Sequence, residues 1–262
     1  MSHPEPVLLT TVSSRTVQPQ LRCICFPYAG GNRSSFIRFA ALVPSWLEVV
    51  VLDLPGRAER QAEPAFRQLT PILQLLLAQY QRLTPLPTLF YGHSFGARIG
   101  YEFLHCLQNA GLPLPQLMVA AAARAPHLTT LTERYSELSD AEFIRHLAKL
   151  GDASTGWFDD AELLSQVLPA LRADFRMVDD YQPTIRAPLP VRGLALCAER
   201  DPAVSAEQSQ GWEMYFTEFN QQVLPQRGHF FIDTHPEEVA AILLPSLRHM
   251  RRCIGESHAQ IY

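Results

Sequence analysis

The sequence has no large excess of charge of either sign and almost no lysine. Its 262 residues carry a formal net charge of −4, which gives no reason to expect nucleic-acid binding. Arginine carries nearly all the positive charge, since Lys149 is the sole lysine. No apolar run approaches the ~18–20 residues that span a bilayer, and the first twenty residues show no basic patch followed by an apolar run. We therefore expect a cytoplasmic protein without a membrane partner.

Cysteine is also scarce, and its spacing excludes two common uses. The five cysteines are an odd number, so they form no fully paired disulfide framework. The Cys23–Cys25 spacing fits neither a zinc pair nor a redox Cys-x-x-Cys motif. Metal-ligand spacing of His, Cys and acidic residues is absent, as is a phosphate-binding glycine loop. The sequence therefore predicts no metal and no cofactor.

The sequence contains enough apolar residues to form a large core. Hydrophobic residues make up 47%, and short apolar runs alternate with segments of helical periodicity. This alternation is typical of an α/β protein with a mainly parallel sheet flanked by helices. We expect one such domain over residues 1–262, most simply as a monomer. The predicted strands are Cys23–Phe26, Val49–Leu54, Thr88–Tyr91, Leu117–Ala121, Val191–Cys197 and Gln222–Leu224.

One region interrupts the alternation. Between about residues 128 and 190 no strand is predicted, and two amphipathic helical patterns appear instead. The first begins at a capping box, Ser139–Glu142, and ends near Gly151; the second begins at Asp159 or Asp160. Such an insertion is either a lid over an active site or additional core. Its position before the strand that would deliver an acid favours a helical lid.

A serine motif marks the candidate nucleophile. Gly92–Gly96 reads Gly-His-Ser-Phe-Gly and lies between an apolar strand and a helical pattern. Gly-x-Ser-x-Gly in this setting is typical of the nucleophile elbow of the α/β-hydrolase fold. The alternative is an ordinary strand–helix turn whose serine caps the helix. We predict the α/β-hydrolase fold with Ser94 as nucleophile.

The base is sought downstream, because the order in this fold is serine, acid, histidine. His229 follows the last predicted strand on a glycine-marked loop, Gln226–Phe231. We predict His229 as the base; the alternative is a loop histidine that only bonds the backbone. The other downstream histidines are less favoured because they lie in predicted helices, at the start of the proposed lid, at a helix entry or in the chain's tail: His105, His127, His146, His235, His249 and His258.

Two carboxylates compete for the role of the acid. Asp201 follows the strand ending at Cys197, in a turn where Pro202 disfavours helix. Glu199 is the nearest alternative, and either residue could instead cap the next helix. We predict Asp201. The acids of the insertion, which are more often solvated, are less favoured: Asp174, Asp179 and Asp180.

Acyl transfer also needs donors for the oxyanion. The residue after the nucleophile, Phe95, would supply one backbone N–H. The loop after the first predicted strand, Pro27–Gly31, would supply the other, and Ala29 is our candidate. An ordinary glycine turn is the alternative for this loop.

Taken together, several segments resemble the type II, stand-alone thioesterases of nonribosomal peptide and polyketide synthases. The resemblance covers most of the chain, with mild departures at Phe95, where Met or Leu is common, and at Ala198, where the acid loop often has Gly. The segments that carry it are Phe26–Gly31, Leu54–Arg57, Gly92–Gly96, Arg124–Pro126, Leu171–Phe175, Asp201–Pro202 and Gly228–Phe230.

The resemblance implies an activity. Such enzymes hydrolyse acyl and aminoacyl thioesters on the phosphopantetheine arm of carrier proteins through an acyl-serine, removing aberrant or stalled chains. It implies carrier domains as partners, no cofactor beyond the phosphopantetheine of the substrate, and a mobile helical lid. An acyl-CoA or fatty-acyl-carrier thioesterase, a small-ester hydrolase and a non-catalytic carrier-binding protein remain alternatives. Arginines that could meet the phosphate or carrier, or only form surface and lid ion pairs, are Arg57, Arg124, Arg172 and Arg176.

Overall fold

The structure is a computed structural model that describes residues 6–13, 17–128, 134–150, 161–184 and 186–259. Its sheet has seven strands in the order β1-β3-β2-β4-β5-β6-β7, and every neighbouring pair is parallel except β1 and β3. The predicted α/β architecture is confirmed. The strands are β1 (Leu9–Thr11), β2 (Leu21–Phe26), β3 (Leu47–Leu52), β4 (Thr88–His93), β5 (Leu117–Ala121), β6 (Leu189–Ala198) and β7 (Phe216–Leu224).

Helices cover both faces of the sheet. The helices are α1 (Ile37–Leu42), α2 (Leu69–Tyr80), α3 (Phe95–Asn109), α4 (Asp140–Leu150), α5 (Ala161–Asp179), α6 (Ala206–Gln210), α7 (Phe231–Thr234) and α8 (Pro236–Ala259). One core cluster joins α2 and α3 to one face of the sheet, and another joins α1 and α8 to the opposite face. Side chains alternate across a strand, so Ile24 enters the first cluster while Cys23 and Cys25 enter the second.

Two strands depart from the sequence prediction, and both lie at edges of the sheet. β1 was not predicted. β7 begins at Phe216, six residues before the predicted Gln222, because most of its side chains are exposed and the segment lacks an apolar run. The central β4 is buried along its whole length, as a strand packed on both faces should be.

The helical insertion lies between β5 and β6. α4 follows the predicted capping box, in which the Glu142 N–H donates to Ser139 Oγ (3.4 Å) and the Ser139 N–H to Glu142 Oε2 (3.2 Å). Gly151, Asp159 and Asp160, the predicted inner ends of the two helices, lie outside the described residues. α4 and α5 share a small apolar cluster of Phe143, Leu147, Leu171 and Phe175. We call α4 and α5 the lid helices.

Candidate active site

The nucleophile elbow forms between β4 and α3. Ser94 has φ +53° and ψ −116°, a left-handed conformation that an L-residue adopts only where its surroundings impose it. Its N–H donates to the Ala121 carbonyl at 2.7 Å. A Cβ at Gly92 would overlap the backbone of Ala97, and one at Gly96 would overlap the Phe26 carbonyl. Both glycines are therefore required for the close approach of helix and strands.

The structure brings the three predicted catalytic side chains together. His229 Nε2 lies 3.1 Å from Ser94 Oγ, and His229 Nδ1 lies 2.8 Å from Asp201 Oδ2. The Asp201 side chain is fully buried, and its other oxygen accepts N–H bonds from Ala203 (2.8 Å) and Val204 (3.2 Å). Asp201, and not Glu199, therefore contacts the imidazole.

The contacts indicate the tautomer of the histidine. An ionised carboxylate only accepts hydrogen bonds, so Nδ1 of His229 carries the proton that it donates to Asp201. In the neutral ring Nε2 then has a lone pair, which faces Ser94 Oγ. This arrangement suits a base that removes the serine proton.

Glu199 has a different contact. Its Oε2 accepts the N–H of Gln226 at 2.6 Å, which joins the turn after β6 to the loop that carries His229. Gln226 has a positive φ of 59°, so this turn is held in a conformation that is uncommon for glutamine.

A histidine that the sequence analysis did not single out supports the base. His93 is fully buried, and its Nε2 lies 2.8 Å from the His229 carbonyl oxygen. A carbonyl only accepts, so Nε2 donates, and Nδ1 is left to accept from the Tyr91 hydroxyl at 3.4 Å. Burial is the main cause that lowers the pKa of His93 to about 3. A neutral His93 therefore fixes the backbone of His229. The variable position of Gly-x-Ser-x-Gly was the only sequence signal for it.

The two predicted oxyanion donors belong to residues beside the nucleophile. Ala29, Phe95, Ser94 and His229 all line one cavity of about 250 Å³. Phe95 is the first residue of α3, so its N–H is among the four that have no acceptor within the helix. The roles of the Ala29 and Phe95 N–H groups remain a proposal.

The lid helices form the opposite wall of this active-site cavity. Tyr135, just before α4, also lines it. The lid-helix residues that do so are His146, Lys149, Leu150, Phe175 and Val178. The cavity is therefore bounded by the elbow on one side and by the insertion on the other.

A buried ion pair fastens α5 to the sheet domain. Arg57 donates to both carboxylate oxygens of Asp174, at 2.6 and 2.9 Å, and the two side chains are 5% and 1% exposed. Asp174 Oδ2 also accepts the N–H of Gly30 at 2.7 Å, and Arg57 donates to the Gly31 carbonyl at 3.3 Å. We call the Arg57–Asp174 pair the arginine clasp. The expectation that Asp174 is solvated was wrong.

The four arginines considered at the mouth of the site separate into three environments. Arg57 is enclosed in the clasp and does not line the cavity. Arg172 pairs with Asp140 across the lid helices, and Arg176 of α5 lies 3.6 Å from Asp180, the residue after that helix. Arg124 lines the cavity and donates from Nε to the Ala203 carbonyl at 3.0 Å. Of the four, Arg124 alone lies at the site.

Other classes of site find no support in the described part of the chain. No three His, Cys, Asp or Glu side chains there are grouped as a metal ion would need. Over the same residues, none of the helices has the length and hydropathy for crossing a bilayer.

Sequence comparisons agree with this geometry. A family model described as "Thioesterase domain" matches residues 22–247. The "Probable cadicidin biosynthesis thioesterase" of Streptomyces griseus is 33% identical over 84% of the chain, which spans 60% of that relative. The AMB antimetabolite synthetase AmbE of Pseudomonas aeruginosa is 36% identical over 88% of the chain, which spans 11% of it. The gramicidin S biosynthesis protein GrsT of Aneurinibacillus migulanus is 31% identical, over 87% of the chain and 90% of its own length.

Solved structures give the same result. The RedJ thioesterase of the prodiginine pathway in Streptomyces coelicolor superposes with a TM-score of 0.79 at 31% identity, over 92% of this chain and 90% of that one. YbtT, the type II thioesterase of a yersiniabactin pathway, superposes with a TM-score of 0.80 at 26% identity, over 93% of this chain and 99% of that one. The similarity thus extends over most of the chain.

Proposed function

The chain belongs to the thioesterase domain family, and from this we propose that it hydrolyses acyl thioesters held on the phosphopantetheine arm of carrier domains. The reaction removes aberrant or stalled acyl and aminoacyl groups during nonribosomal peptide or polyketide synthesis. The observation that carries the proposal is the Ser94–His229–Asp201 contact chain at the wall of an acyl-sized cavity. The names of GrsT and YbtT, a gramicidin S biosynthesis protein and a type II thioesterase, support the same class of substrate.

Acylation begins at the elbow. His229 Nε2 takes the proton of Ser94 as the hydroxyl oxygen attacks the thioester carbonyl. The negative charge that develops on the carbonyl oxygen is stabilised by the backbone N–H groups of Ala29 and Phe95. The C–S bond then breaks, the phosphopantetheine thiolate leaves and is protonated from His229, and an acyl-serine remains.

Deacylation repeats these steps with water. His229 removes a proton from the water as its oxygen attacks the acyl-serine, and the same N–H groups stabilise the second oxyanion. The Ser94 oxygen leaves, recovers its proton from His229, and a carboxylic acid is released. Asp201 keeps the imidazole oriented and stabilises its positive charge throughout. The steps use groups of this chain and water, and the phosphopantetheine arrives with the substrate.

The decisive experiment measures release of an acyl group from a loaded carrier domain. We expect Ser94→Ala to lower the rate by about 10⁴- to 10⁶-fold, because removing the nucleophile leaves only binding and oxyanion stabilisation. Ser246→Ala, on α8 and away from the cavity, serves as the matched control and should retain full activity. Equal rates for Ser94→Ala and the wild-type protein would refute the proposal.

Two further measurements distinguish this function from the alternatives. Comparing an acyl carrier domain with the matching acyl-CoA at equal concentration distinguishes a carrier-directed enzyme from one acting on free CoA thioesters, and a preference for CoA would favour the latter. A fluorophosphonate should label Ser94 of the wild-type protein. An unreactive Ser94 would instead favour a non-catalytic carrier-binding protein.

A further inference from the structure

A second arginine in the cavity wall is not used by the proposed mechanism. Arg98 lies on α3, four residues after Ser94, and lines the same cavity. It is 8% exposed, and its Nη1 is buried without a hydrogen-bond partner among the residues that the structure describes. Within the described residues no carboxylate lies at ion-pair distance from it. A buried charge without a partner is costly, and such a group points to a ligand that supplies the missing partner.

The described neighbours of Arg98 offset part of its charge without forming an ion pair with it. Its guanidinium lies 5.4 Å from the centre of the Tyr181 ring, and the Tyr181 hydroxyl donates to Glu102 at 2.8 Å. Glu102 in turn pairs with Arg186 at 2.8 Å, so its charge is already balanced. Asp179 is beyond ion-pair distance: its Oδ2 accepts the N–H of Ser136 at 2.8 Å, its Oδ1 has no hydrogen-bond partner among the described residues, and its charge raises the pKa of Arg98 without forming a contact with the guanidinium.

The charge of Arg98 persists at neutral pH. Burial lowers its pKa to about 10, which still leaves the guanidinium protonated at pH 7. The neighbouring Arg124 contributes to the same lowering. Two positive groups therefore share this side of the cavity.

The other described residues of the cavity wall add positive charge and no carboxylate. Lys149 lines it from α4 and Arg124 from the segment after β5. Among the described lining residues there is no Asp or Glu. The remaining lining residues are largely apolar, as the wall of an acyl site should be. The cavity is thus shaped for an acyl chain and charged for an anion.

Taking the thioesterase function proposed above as given, we propose that this cavity selects acyl groups that carry a carboxylate, and that Arg98 binds that carboxylate. Four residues along α3 correspond to about 6 Å of helix axis, the scale of a short dicarboxylic acyl chain attached at Ser94. The phosphate of the pantetheine arm is farther from the thioester than this. A planar guanidinium also matches a carboxylate with two hydrogen bonds.

The test compares two four-carbon acyl groups on the same carrier domain. Succinyl ends in a carboxylate and butyryl ends in a methyl group. We expect the wild-type protein to hydrolyse the succinyl thioester with a kcat/KM about 10-fold higher, or more, than that for the butyryl thioester. A hydrogen bond between charged groups stabilises a complex by an amount that corresponds to a factor of about 10 or more. Arg98→Gln should lower the value for succinyl by about 10- to 100-fold and change the value for butyryl by less than about 3-fold. Arg98→Lys should retain part of the preference.

Controls separate a binding role from a structural one. Arg82→Gln removes an exposed arginine after α2, outside the active-site cavity, and should leave both substrates unaffected. Arg98→Gln should melt at or above the wild-type temperature, because it removes a buried charge that has no ion-pair partner among the described residues. An equal loss for succinyl and butyryl would overturn the proposal, since a structural role or a contact with the shared phosphate would produce it.

A binding measurement makes the inference independent of turnover. The Ser94→Ala protein is titrated calorimetrically with succinyl and butyryl thioesters of N-acetylcysteamine, which carry neither phosphate nor carrier. We expect tighter binding of the succinyl compound, and loss of that preference in Ser94→Ala/Arg98→Gln. Wild-type release of butyryl as fast as succinyl would overturn this inference alone. If neither thioester is hydrolysed, the proposed function fails, and equal binding of both would overturn the inference as well.

Discussion

The two walls of the active-site cavity are held in place by different kinds of interaction. On the sheet wall, backbone groups fix the reacting residues: Ser94 through the Ala121 carbonyl, Asp201 through its own N–H to Ala198, and His229 through its carbonyl to His93. On the lid wall, α4 and α5 share an apolar cluster of side chains. Met177 of α5 also joins the core cluster of α2 and α3, and the arginine clasp ties α5 to the loop after β3. The chemistry therefore depends on backbone geometry, and the enclosure of the substrate on side chains.

This difference implies that the two walls can be changed separately. Substitutions on the sheet wall should alter the rate with little effect on folding, whereas those in the clasp should alter folding first. The following predictions test that separation, and they begin with the largest expected effect.

Asp201→Asn should lower kcat by about 10⁴-fold while the protein stays folded. The amide oxygen can still accept from Ala203, but the amide NH₂ would face His229 Nδ1 and favour the tautomer with its proton on Nε2. That tautomer cannot accept the serine proton. Acyl release from a carrier domain, with a thermal melt, measures both quantities. Glu199→Gln is the matched control, and a comparable loss there with an active Asp201→Asn would reassign the acid.

Arg57→Met should lower the free energy of unfolding by about 3–5 kcal/mol, because it leaves Asp174 charged and buried. The double variant Arg57→Met/Asp174→Asn should recover most of this loss, since it removes the charge and retains an oxygen for the Gly30 N–H. Urea unfolding of the three proteins measures the effect. A loss below about 1 kcal/mol in Arg57→Met would show that the clasp does not fasten the lid helices.

His93 should make the sheet wall sensitive to acid. It is neutral when folded, with a pKa of about 3, and titrates near 6.5 when unfolded, so between these values the unfolded state binds more protons. Its contribution to stability is fully present above about pH 6.5 and is lost as the pH falls toward 3. From pH 7.5 to pH 5 the wild-type protein should lose about 2 kcal/mol more than His93→Gln does. Parallel pH dependences of the two proteins would contradict this assignment.

Arg134→Gln should change the free energy of unfolding by less than about 1 kcal/mol. Arg134 pairs with Asp180 and Glu137 on the lid wall, but it is 43% exposed, so water and salt screen both pairs. The same urea experiment compares its loss of unfolding free energy with that of Arg57→Met. Similar losses for the two would remove the distinction between the buried clasp and the exposed pairs.

The sequence was most informative where the chemistry is local. The elbow is contiguous, and its glycines and serine are constrained by one strand–turn–helix junction. Asp201 and His229 are remote from Ser94, but the fixed order of strands in the fold left each with few competitors. The family resemblance, confirmed by the comparisons, rests on these contiguous segments.

The sequence was least informative where the contact is long-range or the strand is exposed. Arg57 and Asp174 are 117 residues apart, and the sequence around each of them does not predict that they pair. β1 and most of β7 lie at sheet edges, where one side of the strand faces water and the apolar run that signals a buried strand is missing. Arg98 resembled any other residue of an amphipathic helix until the cavity beside it was known.

Lys149 is a site for selective chemical labelling at the wall of the cavity. It is the sole lysine of the sequence, it is exposed, and it lies on α4 beside the space where the acyl group would sit. An amine-reactive fluorophore would therefore attach to one side chain besides the terminal amine, next to the acyl site. The natural scarcity of one amino acid thus provides a reporter of occupancy without any engineered cysteine.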